Sequence, residues 1–266
     1  VRPETAIRVW ILACALLGAG AHRASAEEQP RWQAPFGGTF NAQFTVASEY
    51  TQNGISNTQR QPAFQAALDY KSANITTDIP SWAYLTLFGS TIHFIGFNPG
   101  VEFQVQSGVK ARFLDRKLGV DVGYIRYFYP DIPAAQGYDY GEINLAVGYD
   151  FGAVTIGGRL RYSPETINNA GPSWNKRAIV SAPLDFLKTD TFAFKAYGSL
   201  GNYWVDRYQV LNLPTDHYWY WQVGVVASAW GFDLTLAYTD TNLNIADCNN
   251  TTSCAARAFV SLTKTF

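Results

Sequence analysis

The chain predicts an all-β fold: a transmembrane antiparallel up-and-down β-barrel of about twelve strands. Three observations predict it. Apolar and polar residues alternate with a period of two in one segment after another, as strands with unlike faces require. The connections between these segments alternate between long and short, the rhythm of outer-membrane barrels. A segment with the make-up of an export signal opens the chain, and an aromatic residue, Phe266, closes it.

Composition sets the limits first. Of 266 residues only 15% are charged while 15% are aromatic, and ordinary soluble domains carry roughly 25% charged residues. A net charge of -1 excludes the basic excess of a nucleic-acid binder. Mean hydropathy is -0.10, too low for a bundle of membrane helices and suited to a large sheet with one apolar and one polar face.

Residues 1–26 read as a cleaved signal peptide. Arg2 and Arg8 precede an apolar run from Trp10 to Gly20, and Ala24-Ser25-Ala26 offers the small-x-small cleavage pattern. That run is too short to span a bilayer as a helix. Residues 27–39 then form a short periplasmic segment, and 40–266 the barrel.

The alternating segments are 40–50, 63–71, 82–91, 101–112, 118–128, 139–150, 153–163, 174–183, 191–202, 217–229, 231–241 and 255–266. In one, Phe232, Leu234, Leu236 and Tyr238 alternate with Asp233, Thr235, Ala237 and Thr239. Each is about nine residues or longer, enough for a tilted strand to cross a bilayer. If the chain starts in the periplasm, the even connections should be short turns. Residues 113–117, 151–152, 184–190 and 230 fit, and 72–81 is the exception. The odd connections, 51–62, 92–100, 129–138, 164–173, 203–216 and 242–254, should be external loops.

In the last segment Ala258, Val260, Leu262 and Phe266 share a face, and terminal Phe266 fits the signal read by the barrel assembly machinery. Lys264 breaks the pattern close enough to the strand end for its ammonium to snorkel.

Ser48-Glu49-Tyr50, Gly54-Ile55-Ser56, Pro62-Ala63-Phe64-Gln65 and Leu68-Asp69-Tyr70, with Tyr127-Phe128-Tyr129-Pro130 and Tyr138-Asp139-Tyr140-Gly141-Glu142, resemble the signature of the TorF-type outer-membrane porins. The resemblance runs through most of the chain after the signal and implies an outer-membrane barrel with a transport role. It implies no substrate. Thr51-Gln52-Asn53 departs from the aromatic and basic residues those porins carry there.

If the polar face lines a lumen, Glu49, Asp69, Glu102, Asp121 and Glu142 form an acidic arc. Arg159, Arg161 and Lys195, with Arg177 on a weakly alternating segment, form a basic one. Such a lining would set a transverse field that orients polar or zwitterionic solutes. The other outcome is that these charges pair across a narrow lumen and plug it, because twelve strands lie between filled and open barrels.

Trp82, Trp174, Trp219, Trp221 and Trp230 sit near segment ends, as an interfacial aromatic girdle requires. Stacking on sugars is the other use of Tyr218-Trp219-Tyr220-Trp221. After the signal only Cys248 and Cys254 remain, spaced for a disulfide that closes a short loop. No metal-ligand cluster, nucleotide loop or cofactor motif is present.

The function these features predict is that of an outer-membrane channel for small polar solutes or ions in a Gram-negative bacterium, set in lipid, without enzyme activity or cofactor. The alternatives are a lipid-hydrolysing barrel, an adhesive or structural barrel, and a soluble exported β-barrel or sandwich. For the hydrolase only His93 and His217 remain as bases after the signal. The soluble fold stays open because alternation does not say which face points outward.

Overall fold

The computed structural model describes residues 34–94 and 100–266. The expected signal peptide and the start of the segment 27–39 lie outside the described residues. Twelve strands form the wall: β1 (Thr39–Ala47), β4 (Ala63–Lys71), β5 (Ser81–Thr91), β6 (Val101–Phe113), β7 (Leu118–Phe128), β8 (Tyr140–Asp150), β9 (Thr155–Ser163), β10 (Ser173–Pro183), β11 (Ala193–Val205), β12 (His217–Ala229), β13 (Phe232–Thr241) and β14 (Arg257–Thr265). Two short strands, β2 (Thr51–Gln52) and β3 (Ile55–Ser56), form a separate hairpin.

Each wall strand pairs antiparallel with its sequence neighbours, and β1 also pairs with β14, which closes the barrel. Closure satisfies the ladder of every strand and leaves no free edge, the condition for a sheet that lipid surrounds. This is the twelve-strand up-and-down barrel that the alternation predicts.

The structure also decides which face points outward. Phe44, Phe64, Phe103, Ile143, Leu145, Leu234 and Leu236 are exposed, while Gln65, Gln104, Asn144, Asn175, Thr235 and Thr263 are buried. An apolar exterior around a polar interior inverts the soluble arrangement and argues against a soluble sandwich. Leu145→Arg, in the middle of β8, should therefore cost about 2–4 kcal/mol of stability in a lipid bilayer. Urea titration of the folded barrel in vesicles measures this, and a cost near zero would mean that lipid does not cover the face.

One end carries the long loops, and the other carries the short turns together with the longer connection 72–80, the exception the sequence showed. Residues 114–117, 151–154 and 230–231 are tight turns. Residues 184–192 are not, although 184–190 reads as a short turn in the sequence. This connection contains its own 3-10 turn at Asp185–Leu187, and the Thr189 hydroxyl accepts from the backbone N–H groups of Thr191 and Phe192. Those bonds delay the start of β11 to Ala193.

At the short-turn rim, Lys264 donates to the Trp230 carbonyl at 2.7 Å and lies over the Phe232 ring at 4.2 Å. The break in alternation is thus absorbed at the strand end. Cys248 and Cys254 are joined by a disulfide in the long 242–256 loop.

Candidate functional site

Eight of the nine charged candidates, Arg177 included, share inward strand faces with buried polar residues, and Glu49, just beyond β1, is itself buried. The acidic candidates stand at β1, β4, β6, β7 and β8 and the basic ones on β9, β10 and β11, so the two sets meet at the β8–β9 seam. The β8–β9 register sets Asn144 opposite Arg161, so Glu142 is Arg161's diagonal neighbour. The two side chains meet at 3.2 Å, and Tyr127 donates to the same Glu142 oxygen at 2.9 Å. Tyr127 is itself held by stacking on Tyr140 at 4.3 Å. Elsewhere Lys110 lies 3.7 Å from Asp121, and Asp69 accepts from Thr86 and Gln43.

Glu102 is 0% exposed. Tyr50 and Tyr129 each donate to one of its oxygens, at 3.0 and 2.8 Å, and Gln104 adds a bond of 2.7 Å. Burial, and then the nearby Glu102 carboxylate, push the phenols of Tyr50 and Tyr129 well above their ordinary pKa. Both therefore remain protonated donors. This carboxylate is caged and does not line an aqueous path.

The first long connection explains the closure. Its hairpin β2–β3 folds inward across the long-loop end of the lumen. Asn53 and Gly54 both have positive φ, at 51° and 81°, the pair of angles a two-residue type I′ turn needs. Asn175 of β10 donates to Asn53, Arg257 of β14 donates to the Gly54 carbonyl at 3.0 Å, and Gln52 reaches the Tyr127 hydroxyl at 3.4 Å. Arg257 also binds Glu49 at 2.8 Å, anchoring the base of the hairpin.

Beneath the hairpin lies a cavity of about 160 Å³. Glu49, Arg159, Arg161 and Arg177 line it, with Gln104, Ser181, Ser199 and Gln222 among the polar groups. The other five candidates, Asp69, Glu102, Asp121, Glu142 and Lys195, are outside its lining. Sequence reasoning missed Arg257, Tyr127 and the hairpin residues Gln52 and Asn53. The Asn53-Gly54 dipeptide was the available signal, since Asn-Gly is a strong hairpin mark.

Trp174, Trp219 and Trp221 lie on the lipid-facing side near the long-loop end, and Trp230 in the opposite turn. Trp204, also outward, was missed. Trp82 needs correction. It shares its strand face with Tyr84, Thr86 and Phe88 and so points inward, where Lys71 lies 4.2 Å over its ring. Tyr218 and Tyr220 also point inward, with Tyr220 bonded to Asn175 at 2.7 Å.

His217 is exposed beside the long-loop end, and its Nδ1 is paired with Asp216 at 2.7 Å. Hydrogen bonds from His217 and then Trp204 hold the Asp216 carboxyl below the usual carboxylate range. Among the described residues no cluster could hold a metal ion.

Comparison with solved structures finds barrels of the outer membrane. The chain is similar to the NanC porin at 10% identity, with 85% of this chain and 98% of that one covered and a TM-score of 0.48. For the COG4313 outer membrane channel from Pseudomonas putida F1 the values are 11%, 91%, 100% and 0.48. A chain solved in a study of in-meso crystallization of membrane proteins gives 9%, 85%, 83% and 0.50. At these identities the likeness concerns the fold alone. No curated protein matches the chain by sequence. Residues 32–266 match the family described as "Bacterial protein of unknown function (Gcw_chp)", and the chain belongs to that family.

Proposed function

We propose that this protein is a porin-like outer-membrane channel for passive diffusion of small polar solutes or ions, narrowed by the inward hairpin β2–β3. The observation that carries this reading is a closed barrel with an apolar exterior and a polar interior that still holds a cavity of about 160 Å³. A barrel of this kind gives lipid an apolar surface and keeps hydrogen-bonding groups for solutes inside. The resemblance to TorF-type porins supports the same reading. On it, residues 1–26 are removed after export, the assembly machinery reads the strand ending in Phe266, and the long loops face outside. Trp174, Trp204, Trp219 and Trp221 then mark the outer interface and Trp230 the inner one.

A second reading, a structural or adhesive barrel without an open pore, is favoured by one observation: the caged Glu102 and the bonded hairpin fill the long-loop half. Single-channel recording of the refolded barrel in a planar bilayer separates the two. Small discrete steps are expected for the channel. A folded barrel that stays silent over long recordings would remove the channel and leave the closed barrel.

A further inference from the structure

Arg159 and Arg177 stand directly opposite each other on β9 and β10. Their Cβ atoms are then about 5 Å apart, a placement at which like charges destabilise a sheet. Both point into the barrel and line the same cavity. Of the other charges around the cavity, Arg161 is paired with Glu142 and Glu49 with Arg257. Glu49 is the one carboxylate among the described lining residues.

Arg177 donates through Nη2 to the Ser199 hydroxyl at 2.7 Å and lies 5.8 Å over the Tyr220 ring, but its buried Nε has no acceptor among the described residues. A guanidinium with a buried, unmet N–H carries a desolvation cost that an incoming acceptor removes. Two facing guanidinium forks match the oxygens of a carboxylate or phosphate better than any neutral group does. The Ser181, Ser199 and Gln222 side chains around them can bond the rest of such a ligand. Space suffices as well, since one water needs roughly 10–15 Å³ and the cavity has about 160 Å³.

We infer that the cavity is a seat for a small oxyanion, a carboxylate or a phosphate, held between Arg159 and Arg177. This rests on the proposed channel only for its meaning, as the class of solute that is passed; the seat itself needs no conduction.

The test is isothermal titration of the refolded full barrel in detergent, with acetate and inorganic phosphate separately, in chloride buffer. Saturable binding of one anion per barrel is expected for at least one of them, and the stronger identifies the headgroup. Arg177→Gln should weaken it by about tenfold or more, the loss of a charge-assisted fork, while Lys264→Gln at the short-turn rim should leave it unchanged. Heat-modified gel mobility checks folding. If Arg177→Gln does not fold, Arg177→Lys keeps the charge, loses the fork and should still weaken binding. No saturable binding to the folded barrel, or undiminished binding in the folded Arg177 variant, overturns the seat. A barrel that binds the anion and stays electrically silent removes the channel alone, whereas one that conducts and binds neither removes the seat alone.

Discussion

Replacing residues 51–56 with a Gly-Ser linker of equal length should raise single-channel conductance severalfold. The hairpin crosses the lumen and is bonded to three separate parts of the wall, donating to Tyr127 and accepting from Asn175 and Arg257. Conductance follows the narrowest cross-section of a pore, and here the hairpin sets that section. A single substitution should act in the same direction. A Cβ at position 54 would sit 2.6 Å from the Thr241 methyl and 2.7 Å from the Tyr220 Cβ, at a φ of +81°. Gly54→Val can therefore not keep the hairpin seated. It should raise conductance without shortening the chain. If both variants conduct as the parent does, the hairpin is not the constriction.

Arg161→Ala should cost about 3–5 kcal/mol of stability, because it leaves the Glu142 carboxylate buried without its cation. The pair is nearly inaccessible, at 6% and 5% side-chain exposure. Removing both charges removes the orphan too, and Arg161→Ala with Glu142→Ala should recover much of the loss. The comparison is made by reversible urea unfolding of each barrel in vesicles. A single-variant cost below about 1 kcal/mol, the value of an exposed pair, would show that the seam is solvated.

Most of the wall was legible because strand patterning is local. The segments 63–71, 118–128 and 217–229 coincide with β4, β7 and β12. Alternation within nine residues needs no knowledge of the partner strand, so it survives reading one residue at a time. The same pattern marks Glu102, Glu142, Arg159 and Arg161 as one polar face, which is the inside. Trp82 shows the limit of position alone. Closeness to a strand end suggested an interface, whereas the parity of its strand turned it inward toward Lys71.

The chain by itself determined the element type, the number of wall strands and which residues share a face, since each follows from a period of two along a short stretch. Tertiary structure alone decided that the apolar face is outward, that Glu142 meets Arg161 rather than facing it across water, and that Arg159 lies opposite Arg177. It also decided that residues 51–56 turn into the lumen. These are matters of register and closure. A strand's alternation is unchanged when it slides by two residues against its neighbour, yet every cross-strand and cross-lumen contact changes. Only when β1 joins β14 are those contacts set.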